Sequence, residues 1–193
     1  KLKIENIFVS TDCTKIKEIS EKYNSIYIDR PEELARPESL TEDVLVHAYN
    51  EIKKKIDVQI IVLLFANNPA ISTNLIDEGI KILQSDKSYD SAFSVCKYNM
   101  FSPARARKIE DGKIKSFVDL KHLKNVSSIR SSQGDTYFCD LSVQVIRSEA
   151  FERMNEGMQP FQWMGRQSYP LYNSYGFDID EKWQKVAVEL WLK

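Results

Sequence analysis

The chain has 193 residues and nearly cancelling charge, 27 Lys and Arg against 28 Asp and Glu for a net −1, with 42% hydrophobic and 28% charged residues. These are values of a single folded domain, and they exclude disorder and fibrous repeats. The balance argues against a nucleic-acid protein, which needs a basic face. The longest apolar stretch, 58–66, is too short to span a bilayer. Three cysteines (Cys13, Cys96, Cys139) without CxxC spacing give neither a disulfide framework nor a zinc knuckle, so a reducing cytoplasm is the expected location.

In chain order, Ile4 to Ser10 is an apolar run that reads as a strand, and Thr14 to Tyr23 has helical spacing. Ser25 to Asp29 is a second strand, stopped by Arg30-Pro31. Ser39 and Thr41 open an amphipathic helix to Lys55 with Val44, Leu45, Ala48 and Ile52 inward. Val58 to Phe65 is nearly continuous Val, Ile and Leu, the signature of a strand buried on both faces of a parallel sheet. Asn67-Asn68-Pro69 breaks it. Thr73 to Leu83 is a helix (Leu75, Ile76, Ile80 and Leu83 inward), and Ser91 to Val95 a strand.

This alternation predicts an α/β fold with a mostly parallel sheet and flanking helices. Ligands of such sheets bind at the carboxyl ends of the strands. That rule selects Thr11-Asp12, Asp29-Arg30 and Asn67-Asn68.

Beyond residue 103 the pattern loosens. Asp111-Gly112 signals a hairpin within Ile109 to Val118, Val143 to Arg147 reads as a strand, and Ser148 to Asn155 as a short helix. An aromatic stretch follows Gly157, and Glu181 to Lys193 is a closing helix. Asp178 and Asp180 lie two apart, so in an extended segment both carboxylates share one face. That pair suits Mg²⁺ completed by substrate phosphates. Spacing alone leaves the alternative that Asp180 is the N-cap of the closing helix and Asp178 is solvated.

Taken together, Val9-Ser-Thr-Asp12, Arg30-Pro-Glu-Glu-Leu-Ala35, Ser39-Leu-Thr41 before His47-Ala48, Leu63-Leu-Phe-Ala-Asn-Asn-Pro69, Ile76-Asp77, Tyr89-Asp-Ser91 and Asp178-Ile-Asp180 form an ordered succession. It resembles the acylneuraminate cytidylyltransferases, the CMP-sugar synthetases, over almost the whole chain. The resemblance implies a Rossmann-like sheet of the nucleotide-diphospho-sugar transferase type, occupying 1–193 as one domain with a dimerisation arm at about 103–136.

It also implies transfer of CMP from CTP to the anomeric hydroxyl of a 2-keto-3-deoxy sugar acid, with release of pyrophosphate. Asp178 and Asp180 would then bind Mg²⁺. Asp12, Arg30, Ser39 and Thr41 would contact the nucleotide. Asn67, Arg130, Asp140, Gln144 and Phe161 would line the sugar pocket, with Arg130 facing the sugar carboxylate. A homodimer is implied, with Arg105, Arg107 and the aromatic residues of 161–172 at its interface.

The chain departs from the family at Phe65-Ala-Asn-Asn-Pro69, where Gln-Pro-Thr-Ser-Pro is usual, at Gln184, where Asp is common, and along 132–140. These point to a divergent branch with its own sugar. The family's glycine- and basic-rich triphosphate loop would precede Lys1, so the chain is expected to be N-terminally incomplete. The alternatives are a nucleotidyltransferase of this fold using another nucleotide or sugar, and a degenerate binding module without catalysis.

Overall fold

A computed structural model describes residues 4–69 and 71–192. Its elements alternate through the first half: β1 (Phe8–Thr11), α1 (Thr14–Glu21), β2 (Ile26–Asp29), α2 (Thr41–Lys53), β3 (Ile60–Leu63), α3 (Thr73–Ser85) and β4 (Ser91–Lys97). The second half holds β5 (Arg107–Glu110), β6 (Lys113–Ser116), β7 (Tyr137–Arg147), α4 (Ser148–Glu152), β8 (Ser168–Asn173) and α5 (Lys182–Trp191). Lys193, the last residue of the expected closing helix, lies outside the described residues. Among the described residues no helix is long and apolar enough to cross a membrane.

The α/β class and the helices follow the sequence pattern closely. α1 ends where Asn24 takes φ +58, a left-handed conformation that Asn tolerates, and the Ser25 N–H reaches back to the Ser20 carbonyl at 3.3 Å. α5 starts one residue later than expected. Glu181 is its N-cap, in a reciprocal capping box with Gln184, which excludes the reading of Asp180 as the cap.

The sheets are mixed, where mostly parallel pairing was expected. β1 and β2 pair in parallel (Thr11 opposite Asp29), and β5 and β6 form an antiparallel hairpin. The remaining sheet has the order β3-β7-β4-β8, and β3 runs antiparallel to β7 with Ile61 opposite Ile146. A run of four apolar residues cannot report strand direction, and β3 is only half-buried rather than covered on both faces.

The chain divides into two compact units. The first comprises the residues up to Leu63 with Thr73–Phe93 and Gln144–Tyr169. Its core includes Leu45, Leu83, Phe93, Ile146, Phe151 and Trp163. Tyr49 of α2 stacks on Phe151 of α4 with ring centroids 5.2 Å apart, and each such aromatic burial is worth about 1.5–3 kcal/mol. The second unit comprises Leu64–Ser72, Ser94–Val143 and the chain from Pro170 onward, around Cys96, Val143, Leu171 and Val188. It contains the β5–β6 hairpin, whose turn residues Asp111 and Gly112 both have positive φ (+52 and +69), as a two-residue hairpin loop requires. Ile109 and Ile114 face each other across that hairpin and are 68% and 74% exposed.

Candidate functional site

The second unit gathers its polar residues around one buried carboxylate. Asp140, in β7, is 3% exposed. Its Oδ1 accepts from the Ser94 hydroxyl and from the Ser142 N–H at 2.9 Å, and its Oδ2 from the Cys96 thiol and the Asn173 amide, both at 2.9 Å. A buried carboxylate is tolerated when its lone pairs are filled in this way. The strand bends to make it possible: Leu141 has φ +57, which turns the Ser142 N–H back towards the preceding side chain. Burial first, and the Asp140 carboxylate second, push the Cys96 thiol far up, so it serves as a neutral donor.

Gly176 packs against this hub. A Cβ there would lie 2.5 Å from the Ser142 hydroxyl and 3.1 Å from the Asp140 carboxyl carbon, so no larger residue fits without displacement. The Tyr98 hydroxyl donates to the Gly176 carbonyl at 3.1 Å and accepts its N–H at 3.2 Å, and burial pushes that phenol up to about 12. The segment leading to the Asp178-Ile179-Asp180 motif is thereby anchored just before its two carboxylates.

The carboxylates themselves are met by the asparagine pair that ends the central apolar run. The Asn68 amide donates to Asp178 Oδ1 at 3.2 Å, and the Asn67 amide to Asp180 Oδ1 at 3.3 Å. Between them the Ile179 N–H donates to the Asn67 carbonyl at 2.9 Å. Asp178 is half-buried and Asp180 exposed. Burial pushes the Asp178 carboxyl above the usual carboxylate range, the charges of Asp180 and Asp140 push the same way, and the Asn68 bond pulls it back.

Asp178 and Asp180, whose charges oppose one another, are the residues of this segment that could hold a divalent ion. Among the described residues no three His, Cys, Asp or Glu side chains are grouped to hold a metal alone.

The remaining sequence-selected residues fall in different places. In the first unit, Arg30 lies at the carboxyl ends of β1 and β2, its guanidinium donating to the Ser10 carbonyl at 2.6 Å and the Ser10 hydroxyl at 3.3 Å. Asp12 is exposed just after β1. The Ser39 hydroxyl donates to the Glu33 carbonyl at 2.7 Å, and Thr41 is the exposed first residue of α2. Neither caps that helix, because Leu40 occupies the cap position. Gln144 is fully buried and accepts from the Trp163 indole at 2.7 Å, and Phe161 packs against the Trp163 ring at 5.4 Å. In the second unit Arg130 is exposed at the start of a short 3₁₀ turn, its charge acting on Asp135.

Sequence reasoning selected Asn68 with Asn67 as a strand end but assigned it no role, and it missed Ser94, Cys96, Ser142 and Asn173. The place of Asn68 at the end of the central apolar run was the signal that selected it. The others acquire meaning only from their contact with Asp140.

No protein-family model matches the chain. A curated relative, the N-acylneuraminate cytidylyltransferase of Escherichia coli O18:K1:H7 (strain RS218 / NMEC), is 29% identical over 120 residues, which is 62% of this chain and 28% of the relative. The chain thus matches little more than a quarter of that protein's length. Among solved structures, a CMP:2-keto-3-deoxy-manno-octonic acid synthetase complexed with CTP superposes with a TM-score of 0.60 at 11% identity, over 98% of this chain and 82% of the other. At that identity the likeness is one of fold. The sequence relative and the shared fold together support the cytidylyltransferase family that the succession of motifs resembles.

Proposed function

We propose that the chain belongs to a CMP-sugar synthetase that transfers CMP from CTP to the anomeric hydroxyl of an acidic, sialic-acid-like sugar. The observation that carries this reading is the Asp178–Asp180 pair held by Asn67 and Asn68, in a fold shared with a CTP-complexed synthetase. In the reaction the sugar hydroxyl oxygen bonds to the α-phosphorus, the bond to pyrophosphate breaks, and the hydroxyl proton leaves. Asp178 and Asp180 would hold Mg²⁺, which when bound neutralises phosphate charge.

Arg30, Asp12, Ser39 and Thr41 are assigned to the nucleotide. Arg30 offers a guanidinium at strand carboxyl ends, where α/β folds take their ligands. Arg130 is assigned to the sugar carboxylate, for which its fork is a bidentate partner. Asn67 and Phe161 are assigned to the sugar pocket. Asp140 and Gln144 are assigned to it as well, acting from within by shaping β7, since both are buried. The exposed Ile109 and Ile114 and the basic residues Arg105 and Arg107 support a homodimerisation role for the 103–136 arm.

The test is pyrophosphate release with CTP, Mg²⁺ and a panel of 2-keto-3-deoxy sugar acids, with the other three nucleotides in parallel and Asp180→Asn as the control. Release with CTP and one sugar, abolished in the variant, is expected. CTP binding without release from any sugar would favour a binding module, and release with another nucleotide would refute the cytidylyl assignment.

A further inference from the structure

We propose that Asn68 is a positioning residue that presets the Asp178 carboxylate for its cation, with Asn67 doing the same for Asp180. This rests on the metal reading given above. Asn68 is 1% exposed, far more buried than an asparagine needs to be at the end of a strand. Its amide nitrogen donates to two acceptors, the Asp140 backbone carbonyl and Asp178 Oδ1 at 3.2 Å, and its Oδ1 accepts from the Ser142 hydroxyl at 3.1 Å. A flipped amide would set its oxygen against both of those acceptors, so only one orientation is allowed.

Ser142 is held in turn, because its N–H donates to Asp140 Oδ1 at 2.9 Å. Orientation therefore passes from the Asp140 hub through Ser142 and Asn68 to Asp178. The neighbouring Asn67 backbone carbonyl fixes Ile179 at 2.9 Å, so the two asparagines grip the Asp-Ile-Asp segment at three successive residues.

The chemistry of the donor matters. A Lys or Arg here would orient the carboxylates equally well but would cancel the charge that attracts a cation. A primary amide orients while contributing no charge, and one bond from each asparagine leaves each carboxylate with lone pairs for the ion. Groups that orient metal ligands in this manner typically control affinity by about 10- to 100-fold.

The experiment measures Mn²⁺ binding to the protein in the presence of CTP, from the paramagnetic resonance of free Mn²⁺, for the parent, Asn68→Ala, Asn68→Ser and Asn67→Ala. Near-ultraviolet circular dichroism checks the fold of each. Asn68→Ala is expected to weaken Mn²⁺ at least about tenfold, with the half-saturating Mg²⁺ for turnover rising in step and kcat at saturating Mg²⁺ retained. Asn68→Ser, which keeps a neutral donor, is expected to recover part of the loss.

Should Asn68→Ala not fold, the exposed Asn67→Ala and the Asn68→Ser variant carry the comparison, each expected to weaken Mn²⁺ severalfold. A folded Asn68 variant with a lower kcat but a Mn²⁺ constant within twofold of the parent overturns the proposal and leaves the metal reading standing. A parent that binds no Mn²⁺ overturns both.

Discussion

Replacing Asp140 with Asn changes one oxygen to an amide nitrogen in a site that is 3% exposed, and the structure says which bonds that breaks. The retained Oδ1 still accepts from the Ser94 hydroxyl and the Ser142 N–H. The new Nδ2 faces the Cys96 thiol and the Asn173 amide, both donors that pointed at Oδ2 from 2.9 Å. Two buried donor–donor encounters, at 1–3 kcal/mol each, amount to about 3 kcal/mol of lost stability. For a chain of this size that is about 6–12 °C in Tm and on the order of 1 M in the urea midpoint. A surface carboxylate supplies the contrast: Asp135 also accepts from Lys97 and Asn99, but in solvent, so Asp135→Asn should cost less than about 1 kcal/mol. Urea unfolding is followed by the fluorescence of Trp183 and Trp191, which lie in the same unit as Asp140. An Asp140→Asn midpoint indistinguishable from that of Asp135→Asn would show that Asp140 is not the charged acceptor described, and the account of the hub would fall.

Further outcomes follow from the same geometry. Asp178→Asn keeps an acceptor for Asn68 but removes a carboxyl whose ionisation burial and the Asp180 and Asp140 charges oppose. A raised folded-state value favours the fold below the unfolded carboxylate range and loses that contribution as pH rises through the folded value. The variant should therefore unfold at higher urea than the parent at pH 7.5, with the gain shrinking towards pH 3.5, and a constant gain across that range would contradict the assignment. Trp163→Phe removes the indole donor to the fully buried Gln144 and should lower stability by about 2 kcal/mol, read from the urea midpoint; a loss under about 0.5 kcal/mol would refute the importance of that bond. Under the proposed homodimer, Ile109→Lys with Ile114→Lys puts charge on the exposed hairpin and should give a later elution on size-exclusion chromatography than the parent without moving Tm; an unchanged elution volume would refute a dimerisation role for the arm.

Much of this protein was legible in one dimension. Hydrophobic spacing located the helices, as in Thr41–Lys53 and Thr73–Ser85, because an amphipathic stripe is a local property of the chain. The Asp111-Gly112 dipeptide identified its hairpin for the same reason: two adjacent residues that accept positive φ suffice to make the turn. The order of short motifs was enough to show a resemblance to the cytidylyltransferases, which the curated relative supports.

What tertiary structure decided was direction, partnership and burial. The run Ile60–Leu63 says strand, but its antiparallel pairing with β7 depends on residues more than eighty positions away. Tyr137 to Ser142 lies before the strand expected at Val143 to Arg147, yet it is part of β7, where Asp140 and Ser142 find their donors and acceptors on other segments. Asp178 and Asp180 were visible as a pair. The asparagines were visible as a strand end, but their hold on that pair was not, since a hydrogen bond between residues 68 and 178 leaves no trace in local spacing. Local patterns encode which element forms, whereas a site of this kind is built from side chains whose polar groups can be buried only where folding brings their partners to them.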